Sequence, residues 1–327
     1  MSHMTSVTPF YRCLKIRYCR VWVSLIGSIP VYCSRLDSQS VKCVVSAEMD
    51  PFISIITVSL NAEATIEDTL ASVGCQRASF AVEHICVDGG SRDATRRIIN
   101  GWVGRGSIPL RPVYEPDNGI FDAMNKGLRV ARGEYVLFLN ADDFLASSST
   151  LAAVMQGLAP GAKQNPDLVV GSASMGILGR YGIWRHRKVP KLLGRLRGWG
   201  LFPVHQGQFT KRRLLEEVGG FDVGAKLAAD VYQFYDLEYK MPLKIRIVRF
   251  DVAFMRAGGA ANAGLKSMCK GSLEIFRHLA KKHNLLRAFC MVFVKTTQSL
   301  FEIRVGRCPH DRWFSRATTL GKPGTGE

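Results

Sequence analysis

The sequence predicts an α/β protein with a doubly wound, mostly parallel sheet flanked by helices and followed by a C-terminal helical tail. Apolar runs of strand length alternate with helix-forming segments from about residue 51 onwards. The runs are apolar on both faces, which is typical of parallel strands covered by helices. Repeated strand-helix-strand alternation of this kind indicates right-handed crossovers within one sheet.

Each element is predicted from its local pattern. In chain order these are a strand at 52–60, a helix at 64–73, a strand at 82–87, a helix at 91–100, a strand at 110–114, a helix at 119–131, a strand at 135–139, a helix at 151–158 and a strand at 167–172. The strands are rich in β-branched and aromatic residues, and polar or glycine residues separate them from the helices. Ser91 is the predicted N-cap of the second helix, since Asp93 and Ala94 follow it.

Three regions are predicted. Residues 1–50 form a poorly ordered or mis-called extension, 51–264 the main domain, and 265–327 a basic amphipathic helical tail. In the extension, basic residues precede the apolar run 21–33, which resembles a signal peptide or a weak anchor. That run is shorter than the roughly 20 residues of a membrane-spanning helix, so we expect no span there.

Composition limits the class of protein and its partners. A chain of 327 residues with 47% hydrophobic content can bury a full core. Its formal charge of +17 indicates an anionic partner, which includes nucleic acid, phosphorylated substrates and acidic membranes. Nine cysteines without a Cys-x-x-Cys pair predict a reducing, cytoplasmic compartment.

The most informative stretch is the apolar run 135–139, which is followed by Asn140, Asp142 and Asp143. These carboxylates should lie at the carboxyl end of a buried strand, where open α/β sheets bind ligands. Carboxylate and amide oxygens are suitable ligands for a divalent cation that holds a diphosphate. Taken alone, the pair of aspartates also fits a turn or a helix N-cap.

Four blocks occur in order: 54–61 (SIITVSLN), 87–93 (VDGGSRD), 117–127 (DNGIFDAMNKG) and 140–143 (NADD). Together they resemble the inverting family 2 glycosyltransferases, bacterial enzymes of the A-type nucleotide-diphospho-sugar transferase fold that build polysaccharides. The resemblance covers about residues 51–259. It implies that 51–264 is a catalytic glycosyltransferase domain.

The resemblance also implies roles for individual residues. Asp142 and Asp143 would bind Mg²⁺ or Mn²⁺, Asp230 would be the catalytic base, and His205 would line the acceptor side. Residues 250–262 look like a loop that closes over the donor. The implied donor-binding residues are Thr57, Ser59, Asn61, Glu63, Asp88, Ser91, Asp117, Asn118, Asp122, Asn125, Lys126, Asn140 and Asp142.

Two positions depart from the family pattern. Many relatives carry a second carboxylate where this chain has Gly89, and an aspartate where it has Asn140. These departures leave open a catalytically impaired sugar-nucleotide binder. The charge leaves open a nucleic-acid-binding protein, although base-stacking aromatics are scattered rather than interleaved with the cations. A dinucleotide enzyme is disfavoured because no G-x-G-x-x-G follows the first strand.

The resulting hypothesis is a metal-assisted enzyme that moves a sugar from a nucleoside diphosphate sugar, expected to be a UDP-sugar, to an acceptor hydroxyl with inversion. Its setting would be exopolysaccharide, lipopolysaccharide or other cell-surface glycan assembly, with a glycan or lipid-linked acceptor and no nucleic acid. Residues 180–213 carry ten Lys or Arg and no acidic residue. With the tail at 266–298, they would hold the protein peripherally on the cytoplasmic face of the inner membrane.

Overall fold

The computed structural model describes residues 11–16, 19–26, 29–35, 41–45, 50–176, 181–189, 202–257, 265–282, 285–301 and 303–307. The chain divides into two compact units, Met1–Asp50 and Pro51–Glu327. Residues 180 and 190–201 of the basic segment 180–213 lie outside the described part, as do residues 258–262 of the predicted loop.

The described residues of the first unit form an antiparallel sheet in simple up-and-down order. Its strands are β1 (Tyr11–Ile16), β2 (Cys19–Ile26), β3 (Ile29–Arg35) and β4 (Val41–Val45). Each strand pairs with the next one along the chain. The expectation that residues 1–50 form a poorly ordered or mis-called extension stays a prediction.

The second unit has a parallel sheet at its centre. The strands β5 (Ile53–Ser59), β6 (Val82–Asp88), β7 (Leu110–Tyr114) and β8 (Tyr135–Phe138) lie in the order β8-β5-β6-β7 with every pairing parallel. All residues of β5, β6 and β8 are buried, as their continuous apolar runs predict. The α/β fold class and these strands are confirmed.

Antiparallel pairs extend the sheet beyond β8. The further strands are β9 (Phe144–Leu145), β10 (Leu168–Gly176), β11 (Tyr181–Arg187), β12 (Gln208–Lys211), β13 (Ile245–Arg256) and β14 (Ile303–Arg307). The order continues as β8-β12-β10-β11-β14, while β13 runs parallel to β10 and antiparallel to β9. The arrangement is mixed but parallel where the site is built.

Helices flank the sheet. They are α1 (Ile66–Gly74), α2 (Thr95–Trp102), α3 (Ile120–Val130), α4 (Thr150–Val154), α5 (Arg212–Glu217), α6 (Ala229–Lys240), α7 (Leu265–Lys282) and α8 (Leu285–Phe301). The helix expected at 91–100 begins only at Thr95, so the predicted cap at Ser91 is wrong. Asp93 Oδ1 instead accepts the Thr95 N–H at 3.0 Å.

Alternate residues of each central strand enter two different cores. Ile55 packs in one apolar cluster and Ile56 in another, because successive side chains of a strand point to opposite faces. The Ile56 cluster also contains Ile275, Leu279, Ala288 and Met291 from α7 and α8. The helical tail is therefore part of the same core as the sheet.

Close approach of the chain to β5 requires a glycine just before β8. A Cβ at Gly133 would lie 2.4 Å from the Ser54 backbone nitrogen and 2.6 Å from its Oγ. The Gly133 N–H donates to that Oγ at 2.8 Å. The contact fixes the entry of β8 beside β5, so that Asn140 and Asp142 emerge next to the end of β5.

Candidate active site

A cavity of about 440 Å³ lies beyond the carboxyl ends of β5 and β8, beside the start of α3. Its size falls within the range typical of small-molecule sites. It is lined by Val58, Ser59, Leu60, Asn61, Ala62, Thr65, Asp117, Gly119, Ile120, Ala123, Asn140, Ala141 and Asp142. The cavity thus combines apolar walls with a few convergent polar groups at the edge where such sheets bind ligands.

Part of the predicted donor set lines this cavity, namely Ser59, Asn61, Asp117, Asn140 and Asp142. Other predicted residues are not among its lining: Thr57, Glu63, Asp88, Ser91, Asn118, Asp122, Asn125 and Lys126. The small and apolar lining residues were not predicted, because nothing in a sequence distinguishes a cavity wall from a core position.

Two loops shape one side of the cavity by holding each other. Asn61 adopts a φ of 50°, its Oδ1 accepts the Arg92 N–H at 2.9 Å, and its own N–H donates to Ser91 Oγ at 2.8 Å. Glu63 Oε2 accepts the Ala94 N–H at 2.8 Å. The side chains of Glu63 and Ser91 therefore act on loop geometry in this structure.

Asp88 stands at the end of β6, as predicted, but its side chain is fully buried. Its Oδ1 accepts the N–H groups of Gly90 and Ser91 at 3.2 and 3.1 Å and lies 3.5 Å from Arg96 Nε. Its Oδ2 accepts the hydroxyls of Ser91 at 2.5 Å and Ser59 at 3.4 Å. Both oxygens are thus engaged by the protein.

Thr57 is buried in the middle of the sheet rather than at its edge. Its Oγ1 lies 2.9 Å from His84 Nε2, on the neighbouring strand β6. Burial lowers the pKa of His84 to about 3, so the imidazole is neutral near pH 7. The pair satisfies two polar groups inside the fold.

Side chains of α3 hold neighbouring loops in place. Asn125 forms two hydrogen bonds with the Phe221 backbone: its Nδ2 donates to the Phe221 carbonyl at 2.9 Å, and its Oδ1 accepts the Phe221 N–H at 2.8 Å. Lys126 Nζ lies 3.2 Å from Glu115 and 3.3 Å from Asp122, and these acidic groups raise its pKa despite the opposing effect of desolvation. Asp122 also accepts the Asn118 N–H at 3.0 Å.

The two aspartates of the predicted metal motif, residues 140–143, have different surroundings. Asp143 is buried, with Oδ2 accepting from Gln206 Nε2 at 2.8 Å and Oδ1 from the Arg256 N–H at 3.3 Å. Burial and the adjacent Asp142 raise the pKa of Asp143 well above its ordinary value. Burial also raises the pKa of Asp142, against the charges of Arg256 and His205. Asp142 faces the cavity.

Arg256 joins the end of β13 to the metal motif. Its Nε donates to the Asp142 carbonyl at 3.1 Å, and its guanidinium forms an ion pair with Asp68 on α1. The guanidinium also lies over the Phe144 ring, 6.0 Å from the centroid. The predicted closing loop at 250–262 therefore begins within a strand whose last residue contacts the motif.

A divalent cation is compatible with the oxygen atoms at the cavity. Within the described residues, no group of three or more His, Cys, Asp or Glu side chains is placed to hold a metal. Asn140 Oδ1, however, is buried without a hydrogen-bond partner, and Asp142 lines the same cavity. Two oxygen ligands fit Mg²⁺ or Mn²⁺ when substrate phosphates and water complete the shell.

Asp230 and His205 form a pair beside this motif. Asp230 lies in the first turn of α6, and His205 Nδ1 lies 3.1 Å from its Oδ2. Burial acts to raise the pKa of Asp230, but the hydrogen bond and charge of His205, together with Lys295, hold it below the ordinary value. Since Gln206 bonds Asp143, adjacent residues connect the base candidate to the metal motif.

The tail contributes a cation to this region. Lys295 of α8 places its Nζ 5.9 Å from the centroid of Phe202, and the guanidinium of Arg187 lies 5.8 Å from the same ring. Burial lowers the pKa of Lys295, while the charge of Asp230 raises it. Lys295 was not predicted as a site residue, because no local pattern relates it to Asp230.

Comparison with protein families gives a match to the model "Glycosyl transferase family 2" over residues 54–225, just over half of the chain. Glycosyltransferase Rv1514c of Mycobacterium tuberculosis is 30% identical over 186 residues, which is 55% of this chain and 66% of that protein. The PGL/p-HBAD biosynthesis glycosyltransferase of Mycobacterium bovis is 38% identical over 125 residues, or 38% and 48%. The chain spans less than two thirds of these relatives.

Two solved structures share the fold. A mannosyltransferase from Pyrobaculum calidifontis in complex with GDP-Man and Mn²⁺ aligns with a TM-score of 0.54 and 20% identity, covering 84% of this chain and 77% of its own. Staphylococcus aureus TarS in complex with UDP aligns with a TM-score of 0.52 and 18% identity, covering 75% and 70%. At these identities the likeness concerns the fold.

Proposed function

The chain belongs to the family 2 glycosyltransferases, and on that premise we propose that it is an enzyme that moves a sugar from a nucleoside diphosphate sugar to an acceptor hydroxyl with inversion. One observation carries the proposal. Asp142, at the wall of the cavity, and the His205–Asp230 pair are connected through Asp143 and Gln206. A donor in the cavity would thus lie close to a base for the acceptor.

The donor is proposed to be a UDP-sugar. The cavity has the size of a small-molecule site and opens at the carboxyl edge of the parallel strands. Two proteins of the same fold were solved with UDP and with GDP-Man, so nucleoside diphosphates are the common chemistry of these relatives. The finer choice of base and sugar for this chain is part of the proposal.

Asn140 and Asp142 would hold Mg²⁺ or Mn²⁺ beside the donor diphosphate. The support is the unpaired buried Oδ1 of Asn140 and the position of Asp142 in the cavity wall. When bound, the cation supplies charge neutralisation for the leaving diphosphate without proton transfer. Asp143 would orient the motif, since its oxygens accept hydrogen bonds from Gln206 and Arg256.

Asp230 is the proposed general base. Its depressed pKa keeps the carboxylate ionised at neutral pH, so that it can accept the proton of the attacking hydroxyl. His205 would fix its orientation through the 3.1 Å contact. A positioned base typically contributes about 10²–10⁴ in rate. Attack from the face opposite the leaving diphosphate in a single displacement inverts the anomeric carbon.

The acceptor is proposed to be a glycan or lipid-linked molecule used in cell-surface glycan assembly, reached at an anionic membrane. None of the described helices is long and apolar enough to cross a bilayer. On α8, however, Leu285, Leu286, Phe289 and Phe293 are 67%, 73%, 63% and 60% exposed. Spacings of three and four residues place them on one helix face.

The neighbouring helix supplies positive charge. Lys270, Arg277 and Lys281 are exposed on α7 at spacings of seven and four residues, which puts them along one face. Exposed apolar and basic side chains on adjoining helices are the combination that binds anionic lipid headgroups. We therefore retain peripheral attachment to the cytoplasmic face of a membrane as part of the proposal.

A panel of nucleotide-sugars with Mn²⁺ or Mg²⁺ tests the proposal, with release of nucleoside diphosphate as the readout. We expect Asp142→Asn to weaken donor binding and Asp230→Asn to lower turnover at least about 100-fold while donor binding is retained. Asp236→Asn is the matched control and should leave turnover unchanged. Asp236 lies on the same helix as Asp230 and also pairs with a histidine and a lysine, His278 and Lys282.

The alternative of a catalytically impaired binder rests on Asn140 and Gly89, the two departures from the family pattern. It predicts that nucleotide-sugars bind in the presence of a cation without any release of nucleoside diphosphate. Binding without turnover across the whole panel, with acceptors present, would favour that alternative. Equal turnover in wild type and Asp230→Asn would remove Asp230 from the mechanism.

A further inference from the structure

Asp88 ends β6 and Asp117 follows the neighbouring strand β7 at the cavity end of the sheet, and of these two only Asp117 is available to a ligand. Asp88 is fully buried and both of its oxygens accept hydrogen bonds from the protein. Asp117, on the loop after β7, is half-buried and lines the cavity. Among the described residues, only its Oδ1 is hydrogen-bonded, by the Gly119 N–H at 2.9 Å.

The position of the Asp117 carboxylate depends on a glycine. A Cβ at Gly89 would lie 1.9 Å from Asp117 Oδ2 and 2.7 Å from its Cγ. Both distances are far below van der Waals contact, so any side chain at position 89 would displace this carboxylate. Gly89 and Asp117 therefore share a single side-chain space beside the buried Asp88.

We propose that Asp117 selects the base of the donor nucleotide by accepting a hydrogen bond from a ring N–H group, in the space that Gly89 leaves open. The inference rests on the proposed function and specifies the chemistry of that donor. Uracil and guanine present a ring N–H that a carboxylate can accept. Cytosine and adenine present a lone pair at the equivalent ring nitrogen, which a carboxylate repels.

The cavity lining favours the base over the diphosphate as the partner of Asp117. A carboxylate that binds no cation repels phosphate, and the oxygens suited to a cation belong to Asn140 and Asp142. Leu60 and Ile120 add apolar wall to the same cavity, which suits a planar ring. The Gly119 N–H holds Asp117 in place before the ligand arrives, so its preference for a ring N–H is built in.

Calorimetric binding of UDP, CDP, GDP and ADP to the full chain, with Mg²⁺ present, tests the inference. We expect wild type to bind UDP or GDP about 10- to 100-fold more tightly than CDP and ADP, the size of one hydrogen bond to a charged acceptor. Asp117→Asn keeps the shape but offers an amide, so the preference for UDP over CDP should shrink at least about tenfold. Asp117→Ala should abolish it.

A double-mutant cycle examines the shared space. Gly89→Ala should cost as much base preference as Asp117→Ala, and the double variant should lose no more than either single one, since both changes remove the same carboxylate. Gly89→Asp combined with Asp117→Gly returns a carboxylate from the other side and should restore part of the preference. Glu115→Gln, a nearby exposed acid, is the matched control and should leave the preference unchanged.

Two results separate failure of this inference from failure of the proposed function. If UDP binds wild type, but the UDP-to-CDP affinity ratio in Asp117→Asn and Asp117→Ala is unchanged from that of wild type, then Asp117 does not read the base. If none of the four nucleotides binds wild type with Mg²⁺ or Mn²⁺, the proposed donor chemistry fails and this inference fails with it. Thermal melting of each variant checks that the fold is retained.

Discussion

The protonation state of Asp230 is set by its immediate neighbours. Burial would favour the neutral acid, but His205 at 3.1 Å and the charge of Lys295 favour the carboxylate, and the net effect lowers its pKa. The proposed base thus stays ionised well below neutral pH. Removing His205 leaves burial less opposed, so the pKa of Asp230 should rise.

We expect His205→Phe to move the acid limb of the rate of nucleoside diphosphate release to higher pH by about one unit, the worth of one charge-assisted hydrogen bond. The rate in the variant should therefore begin to fall at a higher pH as the solution is acidified. A pH profile of the rate under saturating donor measures this.

The matched control is His186→Phe, because His186 forms a similar pair with Asp251 at 2.7 Å. Its acid limb should coincide with that of wild type. An unshifted limb in His205→Phe would show that His205 does not govern the base.

A second residue, His84, should make stability depend on pH. Its pKa falls from 6.5 to about 3 on burial, so between these values the unfolded chain binds a proton that the folded chain does not. The contribution of neutral His84 to the unfolding free energy is fully present above about pH 6.5 and is lost as the pH falls toward 3. In urea, the unfolding free energy should thus decline with acidification.

His84→Gln should flatten that decline although its stability at pH 8 is lower. Thr57→Val supplies the comparison: it removes the 2.9 Å contact but keeps the histidine, and so should retain the wild-type pH dependence. Identical slopes for wild type and His84→Gln would contradict the assignment.

Residue roles were only partly predictable from the sequence. Asp142 and Asn140 were identified because they follow a buried strand, and the structure places both in the cavity wall. Asn125 and Lys126 belong to another block, 117–127, and their side chains contact Phe221 and Glu115 in this structure. A motif fixes which residues are polar and close to a site, whereas the partner of each side chain depends on distant segments of the chain.

At the scale of elements, the central strands were predicted to within two residues, because continuous apolar runs identify buried parallel strands. The strand β13 was not predicted, since its residues Ile245–Arg256 mix basic and apolar side chains and several are exposed. Strands β11 and β12 lie in the basic segment and were interpreted as surface. Their Lys and Arg residues interrupt the apolar pattern by which the central strands were predicted.

Strand packing gives a paired prediction on two glycines. Gly133→Ala would press a Cβ within 2.4 Å of the Ser54 nitrogen on β5, and should lower the unfolding free energy by about 1–3 kcal/mol. Gly101→Ala, within α2 and with no atom within 4 Å, should raise it by about 0.5–1 kcal/mol. Urea unfolding measures both, and equal effects would contradict the packing argument.

For the whole molecule, the α8 face should decide membrane attachment. Vesicles containing phosphatidylglycerol should bind the protein more tightly than phosphatidylcholine vesicles, and salt should weaken the difference. Replacing Leu286, Phe289 and Phe293 by serine should reduce binding more than tenfold, because each side chain loses about 1.5–3 kcal/mol of apolar transfer. Flotation on a density gradient gives the bound fraction.

The control variant replaces Val103 and Val223 by serine. These side chains are 48% and 59% exposed but lie outside α8, so vesicle binding should stay intact. Light scattering measures the oligomeric state of the triple variant and so tests the opposing explanation. If the triple variant changes a dimer into a monomer and vesicle binding is unaffected, the α8 face joins two copies of the chain and not a membrane.

Long-range contacts were beyond prediction at this scale. Arg256 pairs with Asp68 across 188 positions, and Lys295 reaches the pocket of Asp230 from the penultimate described element. Arg256 lies in the predicted loop 250–262, but no local motif relates it to Asp68 or relates Lys295 to Asp230, and only the folded chain brings each pair together. The strands and loops of the site were therefore predictable from the sequence, whereas the side chains that reach it from distant segments were not.

The shared core of sheet and tail bears on recombinant work. A truncation after residue 257 would keep all the quoted motifs of the sheet, yet it would uncover Tyr232, which stacks on His278 at 4.2 Å, and Phe202, which Lys295 covers. Such a fragment should collect in inclusion bodies, whereas one extending through Phe301 should not. A fragment that stops at residue 225, where the match to the family model ends, would lack even Asp230.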